Sequence, residues 1–144
     1  ARAGTLKIPV VHIQHDAGPG SPYDPNAECG AIADKVAPTA GEVVVVKHYP
    51  NSFVGTDLDT CLKAAGVKNL VVAGFMTHMC INSTTRGAFN LGYAVTVPAA
   101  ATATRALAAP DGSVVEAAAL QVAALTALAD LFAVVVADAA AIPD

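Results

Sequence analysis

The sequence predicts an α/β fold: a three-layer, Rossmann-like parallel sheet with helices on both faces. Three observations carry that expectation. Short β-branched apolar runs alternate with stretches of helical periodicity along the chain. The connections between them are short, and no repeat or long linker divides the 144 residues, so 1–144 is expected to be a single domain. Apolar residues make up 54% against 14% charged, which is enough to cover both faces of a sheet and far from the composition of a disordered chain.

Residues 8–14 (IPVVHIQ) form the first expected strand, apolar and β-branched. Residues 15–41 are rich in Gly, Pro, Asp, Ser and Asn and predict a loop, with room for a short helix near 29–36. Four valines at 43–46 predict a strand buried on both faces. A helix is expected over 56–66, with Thr56 as its cap, Asp57 and Asp59 in the first turn and Gly66 past the end. Residues 69–75 predict another buried strand. Ile81, Thr84, Thr85, Ala88 and Leu91 then recur at helical spacing, and Gly92 closes that helix. A strand follows at 94–98. Ser113 and Glu116 have the spacing of a capping box and should open a long alanine- and leucine-rich helix to about Leu131. The last strand is expected at 133–137.

Composition also excludes several classes. A net charge of −4 and a pI near 5.4 leave no basic field for nucleic acid. The longest apolar run is far too short to cross a bilayer, so a soluble cytoplasmic protein is expected. The alanine-rich helix and the apolar excess predict a homo-oligomer. The cysteines, Cys29, Cys61 and Cys80, match no zinc spacing and no CxxC. For Cys29 and Cys61 the expected role is that of small packing or surface residues.

In open parallel sheets the ligand crevice lies outside the C-terminal ends of the strands. Three segments meet that condition: 12–16 (HIQHD), 47–53 (KHYPNSF) and 74–80 (GFMTHMC). The unpaired N–H groups and the macrodipole at a helix start favour a thiolate there and can hold a developing oxyanion. Cys80 stands at such a start. Lys47, directly after four valines, is poorly placed as a solubilising charge and should point into the crevice, although by itself it is more readily a structural residue than a catalytic one.

The stretches VVVVKHYPNSFVGTDLD and LVVAGFMTHMCINSTTRGAFNLGYAVTV resemble the isochorismatase-like cysteine hydrolases, the family of nicotinamidases and N-carbamoyl amide hydrolases. The likeness runs from IPVVHIQHD to the last strand. Its specific parts are the strand-end lysine followed by a short S-F loop, and G-x-x-T-x-x-C opening a helix. The resemblance implies the isochorismatase-like hydrolase fold and an aspartate, lysine and cysteine triad, of which Lys47 and Cys80 match two members. It also implies a cis peptide at Phe75–Met76, an oxyanion hole made by the N–H groups of Met76 and Cys80, and a pocket that Gln14, Tyr49 and Phe53 line. Packing and loop roles for those three are an equal alternative.

The sequence departs from the family at two places. No segment of the form apolar-apolar-D-x-Q supplies the aspartate, and Ala1-Arg-Ala-Gly looks like the tail of the helix after the family's first strand. The expectation is therefore that the family's first strand and helix are missing from this sequence. Asp16, His15, His48 and His78 are conceivable replacement bases, with little to recommend any of them. The second departure is PAAATATR, which stands where the family usually has an aspartate near Ala100.

No metal and no cofactor is expected. Nicotinamidases carry an Asp-x-His pattern with further histidines, whereas here Gln14 stands where a ligand aspartate would be. His12 and His15 lie three apart on a strand and so face opposite ways, one toward the core and one toward the crevice. The implied activity is hydrolysis of a small-molecule amide through a thioester. The alternatives are a vinyl-ether hydrolase acting on isochorismate, whose family members generally lack the cysteine, a catalytically silent scaffold, and a redox-sensing thiol. Arg86 and Arg105 could select a carboxylate but are more readily surface residues.

Overall fold

A computed structural model of the chain describes residues 8–142, which divide between Leu58 and Asp59 into two compact units. The helix tail expected at residues 1–4 lies outside the described residues.

In the first unit, β1 (Val11–His15) and β2 (Val43–Lys47) pair in parallel, with Val11 opposite Val43 and His15 opposite Lys47. The Asp16 N–H extends the ladder by donating to the Lys47 carbonyl at 2.8 Å. The intervening loop contains two 3₁₀ turns, Glu28–Gly30 and Asp34–Val36. Side chains set its path. Asp24 accepts the N–H groups of Gly20 at 2.9 Å and Asn26 at 3.0 Å, which hold its carboxyl below the usual carboxylate range. Gln14 Nε2 donates to the Gly30 carbonyl at 2.9 Å.

Gly30 has no room for a side chain, because a Cβ there would fall 2.2 Å from the Asp24 carbonyl oxygen. Backbone rather than a flexible side chain is in the way. Gly30→Ala is expected to destabilise the protein by about 2 kcal/mol. Urea unfolding measures this, and an unchanged midpoint would show that the loop gives way freely.

The valine strand is not buried on both faces. Val45 and Lys47 are buried, while Val44 and Val46 are 41% and 44% exposed. Successive side chains alternate between faces, and in this unit no complete helix among the described residues covers the second face. Valine content marks a strand. It does not show how many layers cover it.

The second unit holds β3 (Asn69–Val71), β5 (Ala94–Pro98) and β9 (Val134–Val136), parallel and in the order β3-β5-β9. Helix α1 (Leu58–Ala64) begins at the junction, with the Leu58 N–H donating to Thr56 Oγ1 at 3.3 Å. Helix α2 (Asn82–Asn90) packs on β5, and α3 (Ala117–Ala129) packs on α2 and β9. Ile81, Thr84, Thr85 and Ala88 are buried as their spacing predicts, whereas Leu91 lies past the helix end and is exposed. Val97 and Leu128 are wholly buried at the centre of the unit. Tyr93 donates its hydroxyl to Asp59 at 2.8 Å, and burial pushes its pKa up to about 12.

Two element boundaries differ from the sequence expectation. The strand expected over 69–75 is two pieces, β3 and β4 (Gly74–Phe75), and β4 pairs with β6 (Thr102–Ala103) instead of β5. Gly74 turns the chain between partners at φ +121°, a conformation open to glycine and strained for other residues. The capping box does not form. Ser113 donates its N–H and Oγ to Asp111 Oδ1, at 2.9 and 2.7 Å, in the turn joining β7 (Leu107–Ala108) to antiparallel β8 (Val114–Val115). Glu116 precedes α3 without any side-chain cap. An Asp-Gly turn outcompeted the cap for Ser113. Among the described residues, no helix is long and apolar enough to cross a membrane.

Candidate active site

Lys47 is the last residue of β2, on the same side as Val45, and is only 3% exposed. Its Nζ donates to the Tyr49 carbonyl at 2.9 Å and contacts His15 Nδ1 at 3.0 Å. An ammonium has donors only, so Nδ1 accepts and the imidazole carries its proton on Nε2. The His15 ring also meets the Tyr23 ring edge-on, with centroids 5.3 Å apart. Burial lowers the His15 pKa, with Lys47 and then His48 adding to the effect.

That shift sets a pH dependence. The unfolded chain binds a proton to this histidine more readily than the folded one, so stability rises with pH across the interval. The contribution is complete above about pH 6.5, the ordinary histidine value, and is lost as pH falls toward the lower folded value. Mild acid should therefore loosen the Lys47–His15 contact. NMR titration of the His15 ring checks this, and a midpoint at or above the ordinary value would contradict it.

The other residues near this strand end have local partners. His48 is exposed and bonds through Nδ1 to the Asp16 carbonyl at 3.0 Å, while Asp16 Oδ1 accepts the Gly18 N–H at 2.8 Å. His12 points elsewhere, to Glu42 Oε2 at 2.9 Å. Glu42 also accepts the Thr39 N–H, and that bond and His12 hold its carboxyl below the usual range. Gln14 is bonded to the loop at Gly30, and Tyr49 offers Lys47 its carbonyl while the residue is 57% exposed. Phe53 is half-buried in a turn where its N–H donates to Asn51 Oδ1 at 3.0 Å.

In the second unit, the Phe75–Met76 peptide is cis and leads into a π-helical turn, Thr77–Ile81, that runs on into α2. Cys80 is the fourth residue of that turn and is half-buried. The helical segment thus starts at Thr77, four residues before Ile81, where its sequence periodicity begins. Within it, the N–H groups of Met79 and Ile81 both donate to the Met76 carbonyl, at 3.0 and 3.2 Å. Cys80 therefore sits in the first turn of the helical segment, still within reach of its N-terminal dipole, and not at its first residue.

His78 lies on the same turn and is hydrogen-bonded through Nδ1 to Thr104 Oγ1. Thr104, Thr102 and Gln121 carry no signal in the sequence, because their part depends on packing between segments far apart in the chain. Arg86 donates Nε to Asn82 Oδ1 at 2.8 Å and lies 4.0 Å over the Phe132 ring, so it is committed to helix packing. Arg105 is exposed. Among the described residues, no group of three or more His, Cys, Asp or Glu could hold a metal ion.

The family model for the isochorismatase domain matches residues 1–140. The isochorismatase family protein YddQ of Bacillus subtilis (strain 168) is 45% identical over 105 residues, which cover 72% of this chain and 58% of that protein. The streptothricin hydrolase of Streptomyces noursei is 41% identical over 112 residues, covering 77% of this chain and 41% of that one. The chain thus spans about half the length of these curated relatives. Among solved structures, an isochorismatase from Pseudomonas putida KT2440 superimposes with a TM-score of 0.93 at 35% identity, over 98% of this chain and 72% of that one.

Proposed function

The chain belongs to the isochorismatase family, and from that premise we propose that it acts as a cysteine hydrolase, cleaving a C–N bond of a small-molecule amide through a thioester. The observation that carries this reading is a half-buried thiol, Cys80, in the first turn of the helical segment that follows the cis Phe75–Met76 peptide. The likeness to a streptothricin hydrolase supports the reaction class.

In this reading Cys80 Sγ attacks the amide carbonyl carbon and a C–S bond forms. The N–H groups of Met76 and Cys80 hold the oxyanion. The C–N bond then breaks, and ammonia or an amine leaves with the proton taken from the thiol. Water hydrolyses the thioester, releasing a carboxylic acid and restoring the thiol. The family resemblance implies for Lys47 the role of the positive charge that favours the thiolate, and bonds to Tyr49 and His15 hold its ammonium at the end of β2. The proton acceptor that the family implies is an aspartate on its first strand, in a D-x-Q segment that residues 1–144 do not contain. Gln14, Tyr49 and Phe53 are pocket residues in the proposal.

The test is ammonia release from a panel of primary and N-carbamoyl amides, with and without iodoacetamide. Turnover that alkylation of Cys80 abolishes supports the thioester route. A second reading, hydrolysis of the isochorismate vinyl ether, draws on the likeness to the Pseudomonas putida isochorismatase. That chemistry needs no thiol, so isochorismate turnover that survives alkylation would favour it.

A further inference from the structure

His78 stands two residues before Cys80 on the turn Thr77–Ile81, and its Nδ1 bond to Thr104 Oγ1 crosses 26 positions of sequence. Thr104 directly follows β6, the strand that pairs with β4 just before the cis peptide. Thr102, at the start of β6, is buried and is held from the other side. Gln121 of α3 donates Nε2 to Thr102 Oγ1 at 2.9 Å and to the Thr102 carbonyl at 3.4 Å. Side chains thus tie the Cys80 turn to β6, and β6 to α3.

Two further observations set this cluster apart from ordinary packing. The turn itself is loosely specified by its backbone. The Met76 carbonyl is shared by the N–H groups of Met79 and Ile81, and the Asn82 N–H is shared between the carbonyls of Met79 and Thr77. Shared bonds of 3₁₀ and π type leave its pitch to be decided by other contacts. In addition, His78 Nε2 is buried with no hydrogen-bond partner among the described residues. Burying an unpaired polar atom is unfavourable, and leucine would fill a similar space without it. Packing alone does not account for an imidazole here.

We propose that His78 is a positioning residue for Cys80: its bond to Thr104 fixes the pitch of the nucleophile's turn and so the direction of the thiol and of the turn's N–H groups. This rests on Cys80 being the nucleophile. It acts through the turn and needs no contact between His78 and substrate. Displacing a reacting group by a fraction of an ångström is enough to lower a rate substantially.

The experiment uses His78→Leu, Thr104→Val, the double variant and His78→Asn, whose amide can take the place of Nδ1. Each is measured for kcat and KM on the best amide substrate, for the iodoacetamide alkylation rate of Cys80 by peptide mass spectrometry, and for thermal unfolding. His78→Leu and Thr104→Val should each lower kcat by about tenfold, the effect of one lost hydrogen bond, with KM nearly unchanged. The Cys80 alkylation rate should change in both. The double variant should lose no more than either single one, as expected of two ends of one bond. His78→Asn should recover most of the rate. Unchanged Cys80 alkylation in both single variants, or losses that multiply in the double variant, overturns the proposal. A Cys80→Ala protein that keeps its amidase rate sinks the functional reading beneath it instead, so the two failures are distinguishable.

Discussion

Cys80→Ala is expected to lower amide turnover by at least about a thousandfold while leaving the fold nearly intact. The size follows from the role. Removing a covalent nucleophile takes away the whole acyl-transfer route and leaves only binding and oxyanion stabilisation, and losses of that order are typical of nucleophile deletions. The small effect on stability follows from the position. Cys80 is only half-buried, so the substitution deletes one sulfur from a partly exposed site. Ammonia release measures the first quantity and thermal unfolding the second. Turnover at the wild-type rate excludes the thioester mechanism, while a large fall in melting temperature assigns the lost activity to unfolding. Cys80→Ser separates these further, since it keeps the shape and supplies a poorer nucleophile.

Lys47→Met is expected to lower turnover by about a hundredfold and also to destabilise the protein by about 1 kcal/mol, because two part-buried acceptors lose their donor. Those acceptors are the Tyr49 carbonyl and His15 Nδ1. The His15 titration provides a check that does not need substrate. Lys47 is one of the causes that lower the His15 pKa, so its removal should move the NMR midpoint upward. Lys47→Arg should not restore the rate, because a planar guanidinium fork cannot place its charge where the single ammonium sits between His15 and Tyr49. Wild-type turnover in Lys47→Met would show that the buried ammonium serves only to hold the strand end.

Several elements were legible from local pattern. The strand at Ala94–Pro98 lies where its β-branched run places it, and the Thr56 cap and the buried face of α2 follow the expected spacing. Other elements were not legible, for reasons that can be named. Ser113 has the spacing of a capping box, but Asp111 is nearer and the Asp-Gly turn takes it. The run over 69–75 is apolar throughout, and only the backbone angle of Gly74 shows that the strand changes partner there. The four valines show a strand and conceal that one of its faces is half open.

By itself, the sequence determined the α/β class, the strand-end position of Lys47 and the place of Cys80 near, though not at, the start of a helix, because periodicity and strand ends are properties of contiguous residues. Tertiary structure alone decided that Cys80 rides on a π turn, that His15 accepts from Lys47, and that Thr104 anchors His78. The last two contacts join residues 32 and 26 positions apart, and no local preference encodes such partners. The thiol was therefore visible in the sequence, and the side chains that hold its turn became visible only once the chain was folded.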